Sequence, residues 1–293
     1  MPRVVGKKEW AEYNTKTIRE ALGLSLRKRR LVENDESSDV PMFRVLRALT
    51  TDHLKPLHEL DGKDFIVAWF ECQEVHYLNW LNKVQHKDPS LSNLMYRIRP
   101  DGSICAVLND WDLAVDASSP QTHTGFEVTG TVPFMAIDLL TDTAIQGQTR
   151  HLYRHDLESF IWILVWVVYC YDGGRKLDDT RMNPDLKAWN TGRYVACRKE
   201  KRDFAMQRPE PPTSTTSWKP EYRRMMKNLL YGVFEADACR EFTRQRVIRG
   251  REVEREEVDE PERAWKEHWE NVLDTIKDES GLEDLQALIP SHA

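Results

Sequence analysis

Three side chains in the first half of this 293-residue sequence have types and spacings suited to catalysis. Asp88 and Asn93 stand in one loop, and Asp110 follows two short apolar runs further along the chain. A carboxylate in such a loop can orient and deprotonate a hydroxyl group. An amide oxygen and a second carboxylate can then hold Mg²⁺ against a triphosphate. The pattern therefore predicts hydroxyl activation beside a magnesium site.

Each of these carboxylates also has a simpler interpretation. Asp88 is followed by Pro89 and Ser90, a combination that suits an ordinary turn or a helix cap. Asp110 would equally suit an exposed hairpin end. Taken one at a time, the residues leave these alternatives open.

The elements that must position this site are a long helix, a hairpin and a buried helix. Residues 64–84 place apolar side chains at three- and four-residue spacings, which predicts an amphipathic helix. Two apolar runs flank the Pro-Asp-Gly turn at 100–102, which predicts a β-hairpin over 94–110. Residues 156–171 predict a buried helix, because a membrane span needs roughly 17–25 apolar residues.

The rest of the chain gives weaker signals. Residues 113–155 predict a long structured loop, and long loops inside a compact domain are usually functional. We expect further elements at five places: helical spacing over 8–24, a strand over 42–52, a surface loop over 208–220, a helix over 222–234 and an amphipathic helix over 264–276.

Composition narrows the functional classes. Hydrophobic residues make up 40% of the chain, enough for a substantial core, and the net charge is −6. That charge gives no general attraction to nucleic acid or to an anionic membrane, so we expect neither as a partner. The five cysteines form no CxxC pair and the first residues lack an apolar signal core, which favours an intracellular, cytoplasmic or nuclear location.

Four motifs in order resemble those of one enzyme family. His86-Lys87-Asp88 with Asn93 resembles the H-R-D…N catalytic loop of protein kinases, and Asp110-Trp111-Asp112 resembles their D-F-G motif. Residues 130–138 resemble the end of an activation segment, with Ala-Ile-Asp in place of A-P-E. The combination of HKDPSLSN, DWDLA, GTVPFMA and RHDLESF is similar to the fungal-type protein kinase family, from about residue 42 to about residue 235.

The resemblance implies a fold and a domain organisation. The expected class is α+β and protein-kinase-like: a mainly α-helical C-terminal lobe, with a β-hairpin that carries the metal motif, and a reduced N-terminal lobe. Residues 1–50 would be a remnant of the kinase N-lobe or a polar extension. Residues 51–235 would form the C-terminal lobe, and residues 236–293 a charged, partly helical tail.

The resemblance also implies roles for individual residues. Asp88 would be the catalytic base, while Asn93 and Asp110 would bind Mg²⁺ and, through it, the co-substrate ATP. Thr131 would lie in the loop that meets a protein substrate, whose identity the sequence leaves open. Structural support would come from five residues: His86, Lys87, Trp111, Asp138 and Asp156. The implied activity is Mg-ATP-dependent phosphoryl transfer to Ser or Thr of a protein.

The first 50 residues depart from the kinase pattern. Their only glycines are Gly6 and Gly23, so a G-x-G-x-x-G loop is impossible there. Their lysines at 7, 8, 16 and 28 stand in polar surroundings that predict no strand. These departures favour a first alternative, a pseudokinase that acts as an interaction scaffold. A second alternative is a small-molecule phosphotransferase of the aminoglycoside or choline type, against which GTVPFMA and RHDLESF argue.

Overall fold

The computed structural model describes residues 2–23, 45–118, 130–212, 218, 220–251 and 257–277. The fold is mixed α/β, about half helical, with small sheets. The chain divides into two compact units, one up to His53 and the other from Leu54 onward.

The first unit is a two-stranded sheet with one helix. Strand β1 (Val4–Asn14) pairs antiparallel with β2 (Val45–Thr51), and α1 (Thr15–Ala21) follows β1 directly. The helix begins where the Asn14 side chain accepts a hydrogen bond from the Thr17 N–H, at 2.9 Å. The strand expected over 42–52 is confirmed over 45–51, whereas residues 42–44 lie outside the described ranges.

Two expectations for this unit are corrected. The helical spacing expected over 8–24 is confirmed over α1, but the chain forms a strand as far as Asn14, because pairing with β2 overrides the local pattern. Lys7 and Lys8 accordingly lie in β1, and Lys8 Nζ lies 4.8 Å from the centre of the Trp10 ring.

The second unit contains the predicted helices and hairpin. Helix α2 (Gly62–Leu81) and helix α4 (Tyr153–Cys170) confirm the long helix and the buried helix. The Trp69 indole N–H in α2 donates to the Phe160 carbonyl in α4, at 3.0 Å, and both residues are fully buried. No helix in the described ranges has both the length and the apolar character needed to cross a membrane.

Short strands complete this unit. In chain order they are β3 (Lys55–Pro56), β4 (Val84–Gln85), β5 (Leu94–Ile98), β6 (Ile104–Leu108), β7 (Val115–Asp116), β8 (Tyr171–Asp172) and β9 (Arg175–Lys176). Strands β5 and β6 form the predicted hairpin, in which Leu94 pairs with Leu108. The turn between them is stabilised by Asp101, whose carboxylate accepts hydrogen bonds from the N–H and the hydroxyl of Ser103.

The segment predicted as a long loop is partly regular. It contains β7, a short 3₁₀ helix over Ile137–Leu140 and helix α3 (Asp142–Ile145). Residues 119–129 lie outside the described ranges, as do residues 213–217 and 219 of the surface loop expected over 208–220.

The last four helices pack around α4 and α2. They are α5 (Pro184–Trp189), α6 (Tyr194–Gln207), α7 (Pro220–Ile248) and α8 (Pro261–Lys277). Helix α7 continues well past residue 234, where we expected it to end, and the boundary placed after residue 235 falls inside it. The charged residues of this extension include Arg240 and Arg244, which pair with the buried Asp138 and so extend the helix over the core.

Helix α8 confirms the amphipathic helix expected over 264–276. Its buried face carries Trp265 and Trp269. Trp265 stacks on Tyr77 with ring centres 4.7 Å apart, and Trp269 stacks on Phe70 at 4.8 Å. This helix therefore contributes aromatic surface to the same core as α2.

Candidate active site

The loop that bears Asp88 is anchored from beneath by helix α4. The Lys87 N–H donates to Asp156 Oδ2 at 3.2 Å, and Lys87 itself has a left-handed backbone with φ 66°. The Asp88 N–H donates to His86 Nδ1 at 3.3 Å. The buried Lys87 side chain has its pKa lowered by burial. This backbone geometry turns the Asp88 side chain toward the segment that begins at Gly130.

Asp156 is held by two histidines that the sequence analysis did not assign. His76 Nε2 lies 2.7 Å from Asp156 Oδ2, and His151 Nε2 lies 2.5 Å from Oδ1, with all three side chains buried. Burial raises the pKa of Asp156, but His151 and His76 outweigh it and hold that pKa well below the usual range. The carboxylate is therefore ionised at neutral pH. The helical spacing of residues 64–84 places His76 on the buried face of α2, but it does not indicate its partner.

His86 connects the catalytic loop to the Asp110 segment. Its Nε2 lies 2.9 Å from the Asn109 carbonyl, and its ring meets Trp111 edge to face at 4.7 Å. The Trp111 indole N–H donates to the Leu108 carbonyl at 2.9 Å. Burial lowers the pKa of His86. These contacts fix the backbone on both sides of Asp110, which has a left-handed φ of 59° and an exposed side chain.

Asn93 joins the same loop to the hairpin. Its side-chain amide donates to the Asp88 carbonyl at 3.0 Å, and its own carbonyl accepts from the Asn109 N–H at 2.8 Å. Its Oδ1 receives a longer hydrogen bond from the Ser92 hydroxyl, at 3.3 Å. The amide nitrogen therefore faces the Asp88 carbonyl, and the amide oxygen accepts from the Ser92 hydroxyl.

The Asp88 carboxylate is bound by Thr131 through two donors. The Thr131 N–H lies 2.8 Å from Asp88 Oδ1, and the Thr131 hydroxyl lies 3.0 Å from the same oxygen. Burial raises the pKa of Asp88, the Thr131 donors lower it, and the nearby charges of Asp156 and Asp110 raise it, so the net direction is upward. A carboxylate with a raised pKa is a better proton acceptor once ionised.

The segment that carries Thr131 forms a tight turn over a narrow cleft. The Phe134 N–H donates to the Thr131 carbonyl at 2.8 Å. Gly130 has φ 141°, and a Cβ there would come within 2.9 Å of Met135 Cγ, so the turn requires glycine. The residues that line the cleft include Lys87, Asp88, Pro89, Gly130, Thr131 and Met135. An acceptor side chain approaching Asp88 would meet this turn.

Asp138 lies at the end of the same segment in a cluster of arginines. Its Oδ2 forms ion pairs with Arg240 Nε at 2.8 Å and with Arg154 Nη2 at 2.9 Å, and its Oδ1 accepts a hydrogen bond from Arg244 Nη2 at 3.3 Å. Burial raises the pKa of Asp138, but these arginines outweigh it and hold that pKa far below the usual range. Arg154 also forms a two-pronged pair with Glu257. Asp138 thus ties the segment to α4 and α7 and does not contact Asp88.

The predicted residues are therefore brought together in part. Hydrogen bonds join Asp88 to His86, Asn93 and Thr131, and a separate hydrogen bond joins Lys87 to Asp156. The two groups are connected through the backbone of residues 86–88. Within the described ranges, no three His, Cys, Asp or Glu side chains are grouped closely enough to hold a metal ion. A metal site formed by the Asn93 amide and the Asp110 carboxylate would contain only one side chain of these four types, so a search for three of them does not bear on it. The Asp110 carboxylate has no ion-pair partner within the described part of the chain.

Comparison with known proteins identifies the family of the chain. The family model described as fungal protein kinase matches residues 5–168, which is more than half of the chain. The match includes all four motifs and begins upstream of residue 42, where the motif resemblance was placed. No curated protein matches the sequence.

Proposed function

Since the chain belongs to the fungal protein kinase family, we propose that it transfers the γ-phosphoryl group of Mg-ATP to a Ser or Thr hydroxyl of a protein. One observation carries the proposal. Thr131 donates to the carboxylate of Asp88, and the side-chain amide of Asn93 donates to the backbone carbonyl of Asp88. The oxygen of the same Asn93 amide would bind the metal. Base and metal ligand are therefore fixed relative to each other.

Asp88 would act on the substrate hydroxyl through its second oxygen. Oδ1 is occupied by both Thr131 donors, whereas Oδ2 has only a long contact of 3.4 Å with the Thr131 hydroxyl. Oδ2 is thus the atom left to accept the proton of a serine or threonine. Phosphoryl transfer depends mainly on positioning and electrostatics, so an oriented carboxylate is the contribution expected of this residue.

Asn93 and Asp110 would hold Mg²⁺. An amide oxygen and an ionised carboxylate are hard ligands of the kind that Mg²⁺ takes, in small number, together with water and phosphate oxygens. The donor set present fits that requirement, because Asn93 Oδ1 faces away from Asp88 and the Asp110 carboxylate is exposed and unpaired within the described ranges. When bound, Mg²⁺ neutralises charge on the nucleotide phosphates.

The buried network beneath the loop would keep these groups in place. Asp156 holds the Lys87 N–H, and His86 holds the Asn109 carbonyl next to Asp110. Groups held in advance need no reorganisation as charge develops, which is how such sites lower a barrier.

The second candidate function is an interaction scaffold. It is favoured by the sequence of residues 1–50, which contains no G-x-G-x-x-G loop. Against it, the family match over residues 5–168 includes all four kinase-like motifs, among them the residues that would serve as catalytic base and metal ligands.

Nucleotide binding and transfer can be separated in one experiment. The melting temperature is measured with millimolar ATP, with and without Mg²⁺, and transfer is followed on a library of Ser/Thr peptides. We expect an Mg²⁺-dependent stabilisation in the wild type, its loss in Asp110→Ala, and retained stabilisation without transfer in Asp88→Asn. Binding without transfer in the wild type would favour the scaffold. If no ATP concentration shifts the melting temperature, the kinase proposal fails.

A further inference from the structure

A lysine outside the predicted site lies fully buried beside it. Lys201 is in α6, and its side chain has no exposed surface. Burying an ammonium group is costly unless it is compensated, and lysine is almost never fully buried without a partner. Within the described ranges, no carboxylate lies within 4 Å of Lys201 Nζ. Its position therefore needs another explanation.

The ammonium group is compensated by two rings and one carbonyl. Lys201 Nζ lies 4.6 Å from the centre of the Trp162 ring and 5.5 Å from that of Trp189, both within cation–π range. It donates a hydrogen bond of 2.6 Å to the Met135 carbonyl. Burial lowers the pKa of Lys201 to about 8, so most of the population is still charged at pH 7. The carbonyl in this set belongs to the segment that bears Thr131, while the charges of Cys197 and the buried Glu158 raise the pKa of Lys201 from beyond hydrogen-bond distance.

The carbonyl that Lys201 holds is one turn from the Asp88 contact. The Met135 N–H donates to the Thr131 carbonyl at 3.2 Å, and the Thr131 N–H and hydroxyl donate to Asp88. One turn earlier on α6, Cys197 Sγ lies 3.8 Å from the Val132 carbonyl. Helix α6 thus holds two carbonyls of this single turn.

We propose that Lys201 is a positioning residue that fixes the turn of residues 131–135, so that Thr131 holds the Asp88 carboxylate in the orientation needed for transfer. This inference rests on the proposed function, because it assigns Lys201 to the same reaction. A merely structural lysine at this place would be replaceable by an apolar side chain of similar length, which fills the space between the two indoles without an ionic cost. A positioning lysine would not be replaceable in that way.

The test compares the same substitution at two positions on one helix. Lys201→Met removes the ammonium group and keeps the length of the side chain. Lys199→Met is the matched control, because Lys199 is exposed on the other side of α6. Three quantities are measured on the full chain: the melting temperature, the amide hydrogen exchange of Thr131, Phe134 and Met135, and kcat with KM for ATP.

We expect the amide exchange and kcat to change in Lys201→Met while the melting temperature and KM for ATP stay close to the wild-type values. Lys201→Met should keep a melting temperature within about 5 °C of the wild type. Exchange at the three amides should rise about tenfold or more, and kcat should fall about 10- to 100-fold with KM for ATP unchanged, because nucleotide binding does not use this turn. Lys199→Met should match the wild type in all three. If Lys201→Met fails to fold, Lys201→Leu replaces it, since this apolar side chain also lacks a donor for the Met135 carbonyl.

The outcomes separate the two proposals. Unchanged exchange and unchanged kcat in a folded Lys201 variant overturn the positioning role while leaving the kinase proposal intact. Faster exchange in a protein whose wild type neither binds nor transfers supports the anchoring of the turn and overturns the kinase proposal. A parallel rise in KM for ATP would assign Lys201 to general stability of the lobe and would also overturn the inference.

Discussion

The backbone N–H and the side-chain hydroxyl of Thr131 both donate to one oxygen of Asp88, across 43 residues of chain. This pairing leaves the second carboxylate oxygen with only a 3.4 Å contact to the Thr131 hydroxyl, and it orients a side chain that would otherwise rotate about its χ angles. The raised pKa of Asp88 reflects burial acting against these two donors. The contact with Thr131 therefore both orients the Asp88 carboxylate and lowers its pKa against the effect of burial.

Removing the hydroxyl of Thr131 should change the pH dependence of transfer. Thr131→Val keeps the N–H donor and the shape of the side chain but removes one hydrogen bond to the ionised carboxylate, so the pKa of Asp88 should rise further. The acid limb of the kcat profile should move to higher pH, and kcat at neutral pH should fall about tenfold. Thr131→Ser, which retains the donor, should leave the limb in place. A limb that does not move in Thr131→Val would show that Asp88 is not the titrating base.

The buried carboxylate of Asp156, which anchors the loop that bears Asp88, should contribute more to stability than an exposed carboxylate does. Asp156→Asn removes a buried charge that accepts from His76, His151 and the Lys87 N–H, and an amide offers only one accepting oxygen. The free energy of unfolding, measured in urea at pH 7, should fall by about 3–5 kcal/mol. Asp179→Asn, at an exposed position, is the control and should change it by less than about 0.5 kcal/mol. Equal effects of the two substitutions would contradict the buried network.

Acid should destabilise the fold through its buried histidines. Burial lowers the pKa of His268 to about 4, below its ordinary 6.5. Between pH 6.5 and 4 the unfolded state therefore binds a proton that the folded state does not, and stability falls as the pH falls through this window. His268→Leu should reduce the loss of unfolding free energy between pH 7 and pH 5 by about 2 kcal/mol relative to the wild type.

The control for this pH dependence is a histidine in contact with water. His53→Gln, at an exposed position, should leave the difference between the two pH values unchanged. Urea unfolding at both pH values measures the effect directly. If the loss of unfolding free energy between pH 7 and pH 5 is the same in His268→Leu and in the wild type, His268 has the same pKa in the folded and unfolded states.

The last helix should prove to be part of the fold and not a detachable tail. Trp265 is 1% exposed and stacks on Tyr77 of α2. Trp265→Ala should lower the free energy of unfolding by about 3–5 kcal/mol, because it removes a large buried side chain and leaves a cavity. Glu267→Ala, on the exposed face of the same helix, should cost only about 0.5 kcal/mol through its pair with Arg263. A small effect of Trp265→Ala would show that α8 does not pack stably on the core.

What the sequence determined by itself was local. The spacing of Asp88 and Asn93 places both in one loop, the Pro-Asp-Gly turn commits its flanks to a hairpin, and the apolar run after Asp156 can only be a buried helix. Each of these depends on neighbours within a few residues, where backbone geometry and side-chain periodicity act directly. The four motifs in order added the family, which the match over residues 5–168 confirms.

Tertiary structure alone decided which elements meet. Periodicity placed His76 on a buried face, but only packing brought it and His151 to the two oxygens of Asp156. We expected residues 236–293 to form a charged, partly helical tail, whereas the structure pairs Arg240 and Arg244 of α7 with the buried Asp138. Lys201 became a candidate only through its hydrogen bond to a carbonyl 66 residues away. A local pattern reports how much of a face is buried. The partner on that face is set by the free energy of the whole packed core, which no short window of residues contains.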